Sequence, residues 1–189
     1  MGAGLATLTG LRAFLPLALV GLISRFALFG NLIELTGTPF AFLEDSWVIG
    51  ILLVLALVEI TADKVPVLDS AQNIVAGPLR VLAGAAIFGA ALGHEDTGVV
   101  VAGMIAGGAI AGATHAVKEV IRPGAAAAGG GTASPFLSLF EDLAAAFGTV
   151  LVVIVPFLGL ALVAFVIYLI YRVRRRRRRK YKGLRILKD

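Results

Sequence analysis

The stretch "GVVVAGMIAGGAIAGATHAVKEVIRPG", residues 98–124, decides the class of fold. It is uncharged and glycine-rich from Gly98 to Gly112, then carries His115, Lys118, Glu119 and Arg122. On a helix these four fall at i, i+3, i+4 and i+7, so they project from one face. An apolar helix with such an end reads either as a membrane span reaching water or as one wall of a polar pocket. Gly103 and Gly107, with Gly108 and Gly112 as a second row, have the small-residue spacing that lets membrane helices pack closely.

Composition agrees with the membrane reading. Hydrophobic residues make up 59% of the 189, and charged residues only 15%, against roughly 25% in an average soluble domain. Mean hydropathy is +0.95. The chain has no cysteine, which removes disulfides and thiolate metal sites from consideration. No basic n-region with a small-residue cleavage site opens the sequence, and Ala6 stands where a myristoylation signal needs Ser or Thr.

The net charge of +5 conceals two opposite regions. From Arg172 onward, "RVRRRRRRKYKGLRILKD" holds eleven of the 17 bases and one of the 12 acids, leaving a mildly acidic body. The sequence therefore divides into a transmembrane domain, 1–171, and a basic tail, 172–189. Bases directly after an apolar span are expected to lie on the cytoplasmic side of a cell (inner) membrane. Arg174, Arg175, Arg176, Arg177, Arg178, Arg179 and Lys180 are expected to bind anionic lipid headgroups. Only Tyr181 is interleaved with them, so nucleic-acid binding, which favours stacking aromatics, is not expected.

Apolar segments run over 3–29 (interrupted by Arg12 and Pro16), 47–62, 70–92, 98–121 and 139–171. The last is too long for one simple span, so it is either a tilted, projecting helix or is broken at Pro156. The loops at 31–46 and 93–97 are acidic and free of Lys and Arg. The expected architecture is an all-α polytopic transmembrane bundle of five or six spans, with six better matching the loop charges. The glycine- and alanine-rich stretch 123–135 reads as a flexible linker.

An internal echo points to a repeated unit. "VPVLDSAQNIVA" (65–76) aligns without gaps to "SPFLSLFEDLAA" (134–145), matching Pro66 to Pro135, Asp69 to Ser138, and Gln72-Asn73 to Glu141-Asp142. Each reads as a capping box at a helix start, with Asp69 and Ser138 as caps. Such starts, repeated, are also what inverted-repeat transporters use when broken helices aim their positive ends at a midplane substrate.

Four ordered motifs, "GLRAFLPL", "VEITADKVPVLDS", "HAVKEVIRP" and "SLFEDLAAAF", resemble the bacterial integral membrane family catalogued as domain of unknown function 4126. The resemblance covers roughly residues 4–155. It implies a compact polytopic membrane protein and brings no reaction, substrate or site with it.

Function must then be read from the ionisable groups in the apolar segments. A charge at the bilayer centre costs about 2.5–3.5 kcal/mol even on lenient scales, so such groups pair, reach an interface or line a wet cavity. Glu59 and Asp63 repel each other at i, i+4 and call for a cation, with Arg12, Lys118 and Arg122 as candidates. The expected substrate-binding set is Arg12, Glu59, Asp63, Asp69, Gln72, Asn73, His115, Lys118, Glu141 and Asp142. Lys64 and Arg122 are expected to snorkel to the interface. No HExxH, GxSxG, P-loop or dinucleotide motif is present, so no enzyme and no cofactor is expected; two histidines make a metal site weak. The primary expectation is a small transporter or channel with a charged cavity. The alternative is a lipid-headgroup-binding, translocating or scaffolding protein. A chain this small is expected to form a homo-oligomer.

Overall fold

The computed structural model describes residues 1–30, 32–63, 66–128 and 133–186, with side chains described outside 64–75, 122–135 and 176–189. Seven α-helices and one 3-10 turn make up the described chain. They are α1 (Gly2–Leu11), α2 (Phe14–Arg25), the turn Ala41–Glu44, α3 (Ser46–Ala62), α4 (Pro66–Ala91), α5 (Thr97–Ala128), α6 (Ala133–Ile154) and α7 (Pro156–Ile186). Among the described residues three segments are long and apolar enough to cross a membrane: Thr97–Ile121, Phe136–Ile154 and Pro156–Arg175. Shorter apolar helices occupy Gly2–Leu11, Phe14–Arg25, Ser46–Ala62 and Ala76–Ala91.

The apolar segment 3–29 is two helices. Arg12 is extended, with φ −137° and ψ 118°, and ends α1; Ala13 then caps α2. Pro16 does not cause the break. It sits in the first turn of α2, where a missing N–H costs nothing. The two helices form a hairpin whose tip is Leu11–Ala13. At one end Gly2 lies against the Phe88 ring and, nearer the tip, Gly10 lies against Thr114. The return helix places Gly21 against Leu43 and Ile49 and Arg25 on the Glu44 carbonyl. Phe40 and Thr38 of the same loop meet Gly89 and Gly93, so Met1 and Arg25 end on one face of the bundle.

The α4–α5 pair is the most extensive helix contact. It is antiparallel: Gly84 meets Gly107, Leu92 meets Gly103, and Gly77 faces His115. Both glycine rows of α5 are thus used against α4 inside the chain. A Cβ on Gly84 would stand 2.7 Å from the Gly107 carbonyl oxygen, so the backbones themselves touch. The segment 139–171 is divided at Val155–Pro156 into α6 and α7, which run side by side along a shared groove. Gly4 and Gly159 meet backbone to backbone, fixing the α6–α7 joint beside the start of α1.

The expected linker is partly helical. The α5 backbone continues to Ala128 because "AAAA" (125–128) has the highest helix propensity available. Likewise α7 continues through the basic tail to Ile186. The core lies between the hairpin, α4 and the 32–45 loop, where Leu5, Leu8, Val20, Leu35, Leu43 and Ile87 are fully or almost fully buried. Ser24 and Glu44 pin that loop: Ser24 Oγ donates to Glu44 at 2.6 Å and accepts the Leu35 amide at 2.9 Å.

Candidate functional site

The break at Arg12 leaves two helix ends open inside the protein, the last carbonyls of α1 and the first amides of α2. A side chain closes each. Glu59, near the end of α3, accepts the Ala13 amide at 3.1 and 2.9 Å and the Phe14 amide at 3.4 Å. Its negative charge also suits the positive N-terminal end of α2. Lys118 of α5 donates to the Leu11 carbonyl at 3.4 Å.

Around this tip the charges form one connected network. Arg12 is 0% exposed and uses four of its five N–H groups. Its Nη1 reaches Asp63 at 2.6 Å and the Glu59 carbonyl at 3.3 Å; its Nη2 reaches Asp142 at 2.6 Å and Ser138 Oγ at 2.9 Å. Lys118 Nζ meets Glu141 at 2.7 Å and Asp63 at 3.5 Å. Arg80 Nη2 donates to Glu59 at 3.1 Å, and its Nη1 lies 2.6 Å from His115 Nδ1. Arginine has donors only, so Nδ1 is the acceptor and His115 carries its proton on Nε2. His115 Nδ1 is also 4.0 Å from Glu119, which remains about one-third exposed.

Isolated charges at this depth would be untenable, but mutual pairing offsets their desolvation. Two donors stay over. Arg12 Nε and Arg80 Nε are buried without a hydrogen-bond partner among the described residues. An unsatisfied buried donor costs about 1–3 kcal/mol.

Of the residues expected from the sequence, Arg12, Glu59, Asp63, His115, Lys118, Glu141 and Asp142 come together at the hairpin tip. Asp69, Gln72 and Asn73 lie outside the described side chains, as do Lys64, Arg122 and Arg176, Arg177, Arg178, Arg179 and Lys180. Arg174 and Arg175 are described and exposed. Arg80 was not in the expected set. It is 1% exposed in the middle of an apolar helix, and that isolation was the signal for it.

The capping-box reading of Ser138 is corrected. α6 starts at Ala133 and α4 at Pro66, so Ser138 and Asp69 sit inside their helices. Proline is favoured in a first helical turn, and Pro66 and Pro135 mark starts earlier than the cap pattern does. Ser138 instead accepts a hydrogen bond from Arg12. The two echo segments open helices that run the same way. Glu141 meets Lys118 late in α5 while Gly4 meets Val152, so α6, like α4, is antiparallel to α5. Inverted repeats require the opposite relation.

An open groove adjoins this network. It has a volume of about 510 Å³ and runs between α1, α5, α6 and α7, apolar throughout except for Thr7, Thr114, Lys118 and Glu141. Among the described residues no group of three or more His, Cys, Asp or Glu is placed to hold a metal.

The chain belongs to the family described as a domain of unknown function, DUF4126, whose model matches residues 1–176. No curated protein and no solved structure matches it.

Proposed function

We propose that this is a small membrane transporter for a charged solute, with the tip of the α1–α2 hairpin as its gate. The observation that carries this is the pair of broken-helix ends held shut by Glu59 and Lys118. In transporters, half-helix ends of this kind coordinate the substrate and coupling ions. Here Glu59 occupies the place of an anion at the start of α2, and the Lys118 ammonium occupies the place of a cation among Leu11 O, Asp63 and Glu141. Exchange of either tethered charge for a free ion of the same sign would loosen the tip from α3 or α5. The Nε donors of Arg12 and Arg80, without a hydrogen-bond partner among the described residues, favour an anion as the solute.

The helix directions support five crossings, α3 to α7, plus a re-entrant hairpin. In that arrangement the acidic loops at 32–45 and 93–96 share one face, and the basic tail lies on the other. A cytoplasmic tail follows from the positive-inside rule.

The test is apparent thermal stability of the full-length protein in neutral detergent, titrated with sodium, potassium, chloride, phosphate and acetate. A ligand of the folded state raises stability by mass action. A saturable rise with one ion, abolished in Glu59→Gln or Lys118→Met, and matched by saturable uptake of that ion into proteoliposomes, is the expected result. Indifference to every ion, with no flux, sinks the transport reading.

A further inference from the structure

The groove beside the charged tip has a length, a polar end and an open side that together specify an occupant. Its α7 wall runs from Leu158 to Leu169, about 16 Å of helix at 1.5 Å per residue. It begins two residues after the start of α7 and ends one turn before Arg172, so it follows most of the apolar length of that helix. Phe140 and Phe147 on the α6 wall and Phe165 on the α7 wall are more than half exposed, so the groove opens sideways between the two helices. Only 11% of the α7 span is buried against the rest of the chain, compared with 33% for the spans of α5 and α6.

The polar end lies on the side of the tail. Leu158, Leu162, Phe165, Val166 and Leu169 of α7 line the groove, and each lies three or four residues from another member, on one helix face. The next member of that face is Arg172, exposed and one turn beyond the last apolar side chain. Lys118 and Glu141 stand at the same end, on the groove floor.

We infer that the groove is a binding site for one anionic phospholipid of the tail-side leaflet, with an acyl chain between α6 and α7 and its phosphate on Arg172. An apolar channel along most of the apolar length of α7 takes the chain, and the arginine where the apolar stripe ends takes the headgroup. The site is distinct from diffuse attraction of lipid to the polyarginine run, and it does not depend on the transport reading.

Site-specific fluorescence quenching tests it, because Trp47 is the only tryptophan. Trp47 is 85% exposed at the start of α3, away from the groove, and reports bulk lipid. A Trp47→Phe/Phe147→Trp variant moves the reporter to the groove, with Trp47→Phe/Phe165→Trp as a second should the first not fold. Each protein is placed in phosphatidylcholine vesicles containing a minor fraction of brominated phosphatidylglycerol. Groove-site quenching is expected to indicate about fivefold enrichment over the bulk fraction, the equivalent of one basic residue at about 1 kcal/mol. Arg172→Gln should return it to the bulk value while leaving Trp47 quenching unchanged. Three results overturn the inference. Groove quenching equal to that at Trp47 means ordinary annular lipid. Equal enrichment of brominated phosphatidylcholine removes the anionic selectivity. Loss of lipid contact at 147 and 165 means the groove is covered by protein, such as a second copy of the chain.

Discussion

Glu59 caps a helix that is not its own: from the end of α3 its carboxylate accepts the Ala13 amide at 3.1 and 2.9 Å, at the first turn of α2. The same carboxylate takes Arg80 at 3.1 Å, so one side chain joins α2, α3 and α4 at the centre of the network.

Replacing Glu59 by Gln keeps its shape but not its acceptors. One oxygen faces Ala13 and Arg80, the other Ala13 and Phe14, all of them donors. An NH2 group at either position therefore meets a donor. Glu59→Gln is expected to lower stability by about 3–5 kcal/mol, the cost of breaking a buried ion pair from one side. Chemical denaturation in detergent measures it, and a loss below about 1 kcal/mol would show that the network is solvated rather than buried.

Arg12 cannot be replaced by lysine without loss. Its planar fork serves Asp63, Asp142, Ser138 and the Glu59 carbonyl together, which a single ammonium cannot do. Arg12→Lys should cost about 2–4 kcal/mol, approaching the buried-pair range. A double-mutant cycle of Arg12→Lys with Ser138→Ala should show coupling of about 0.5–3 kcal/mol. Strict additivity would mean that the Arg12–Ser138 contact contributes nothing.

Glycines divide into two classes with opposite expected responses. Gly84→Ala places a methyl group 2.7 Å from the Gly107 carbonyl oxygen and must separate α4 from α5. It is expected to destabilise by about 1–3 kcal/mol. Gly98→Ala, in the first turn of α5 with nothing within 4 Å, is expected to stabilise by about 0.4–1 kcal/mol through the unfolded chain. Thermal unfolding of the two variants side by side checks both signs.

The proposed five crossings with a re-entrant hairpin would place the 93–96 turn and the tail on opposite faces of the membrane. The chain has no cysteine, so single-cysteine variants report cleanly. Glu95→Cys should react with an impermeant maleimide in intact cells, and Arg175→Cys only after permeabilisation. Both positions are exposed. Labelling of both from the same side would require an even number of crossings between them and overturn the arrangement.

What the sequence determined by itself was an all-α chain with helices apolar enough to cross a membrane, the bounds of some of them, and most of the charged residues. An apolar composition with charges at helical spacing permits few alternatives, and Ser46–Ala62 and the Thr97–Ile121 span follow 47–62 and 98–121 within a residue. Burial of Arg12, Glu59, Asp63 and Lys118 was legible because an ionised group inside an apolar segment has to be paired. The pairing itself was not legible. Which cation met Glu59 depended on how α4 packs beside the end of α3, which brings Arg80 to it, and a local pattern contains no such long-range information. Only the tertiary structure decided that the chain turns back at Arg12. An extended residue between two helices costs little in sequence terms, and it is the carboxylate of Glu59 and the ammonium of Lys118, 47 and 106 positions further on, that make the open ends tolerable.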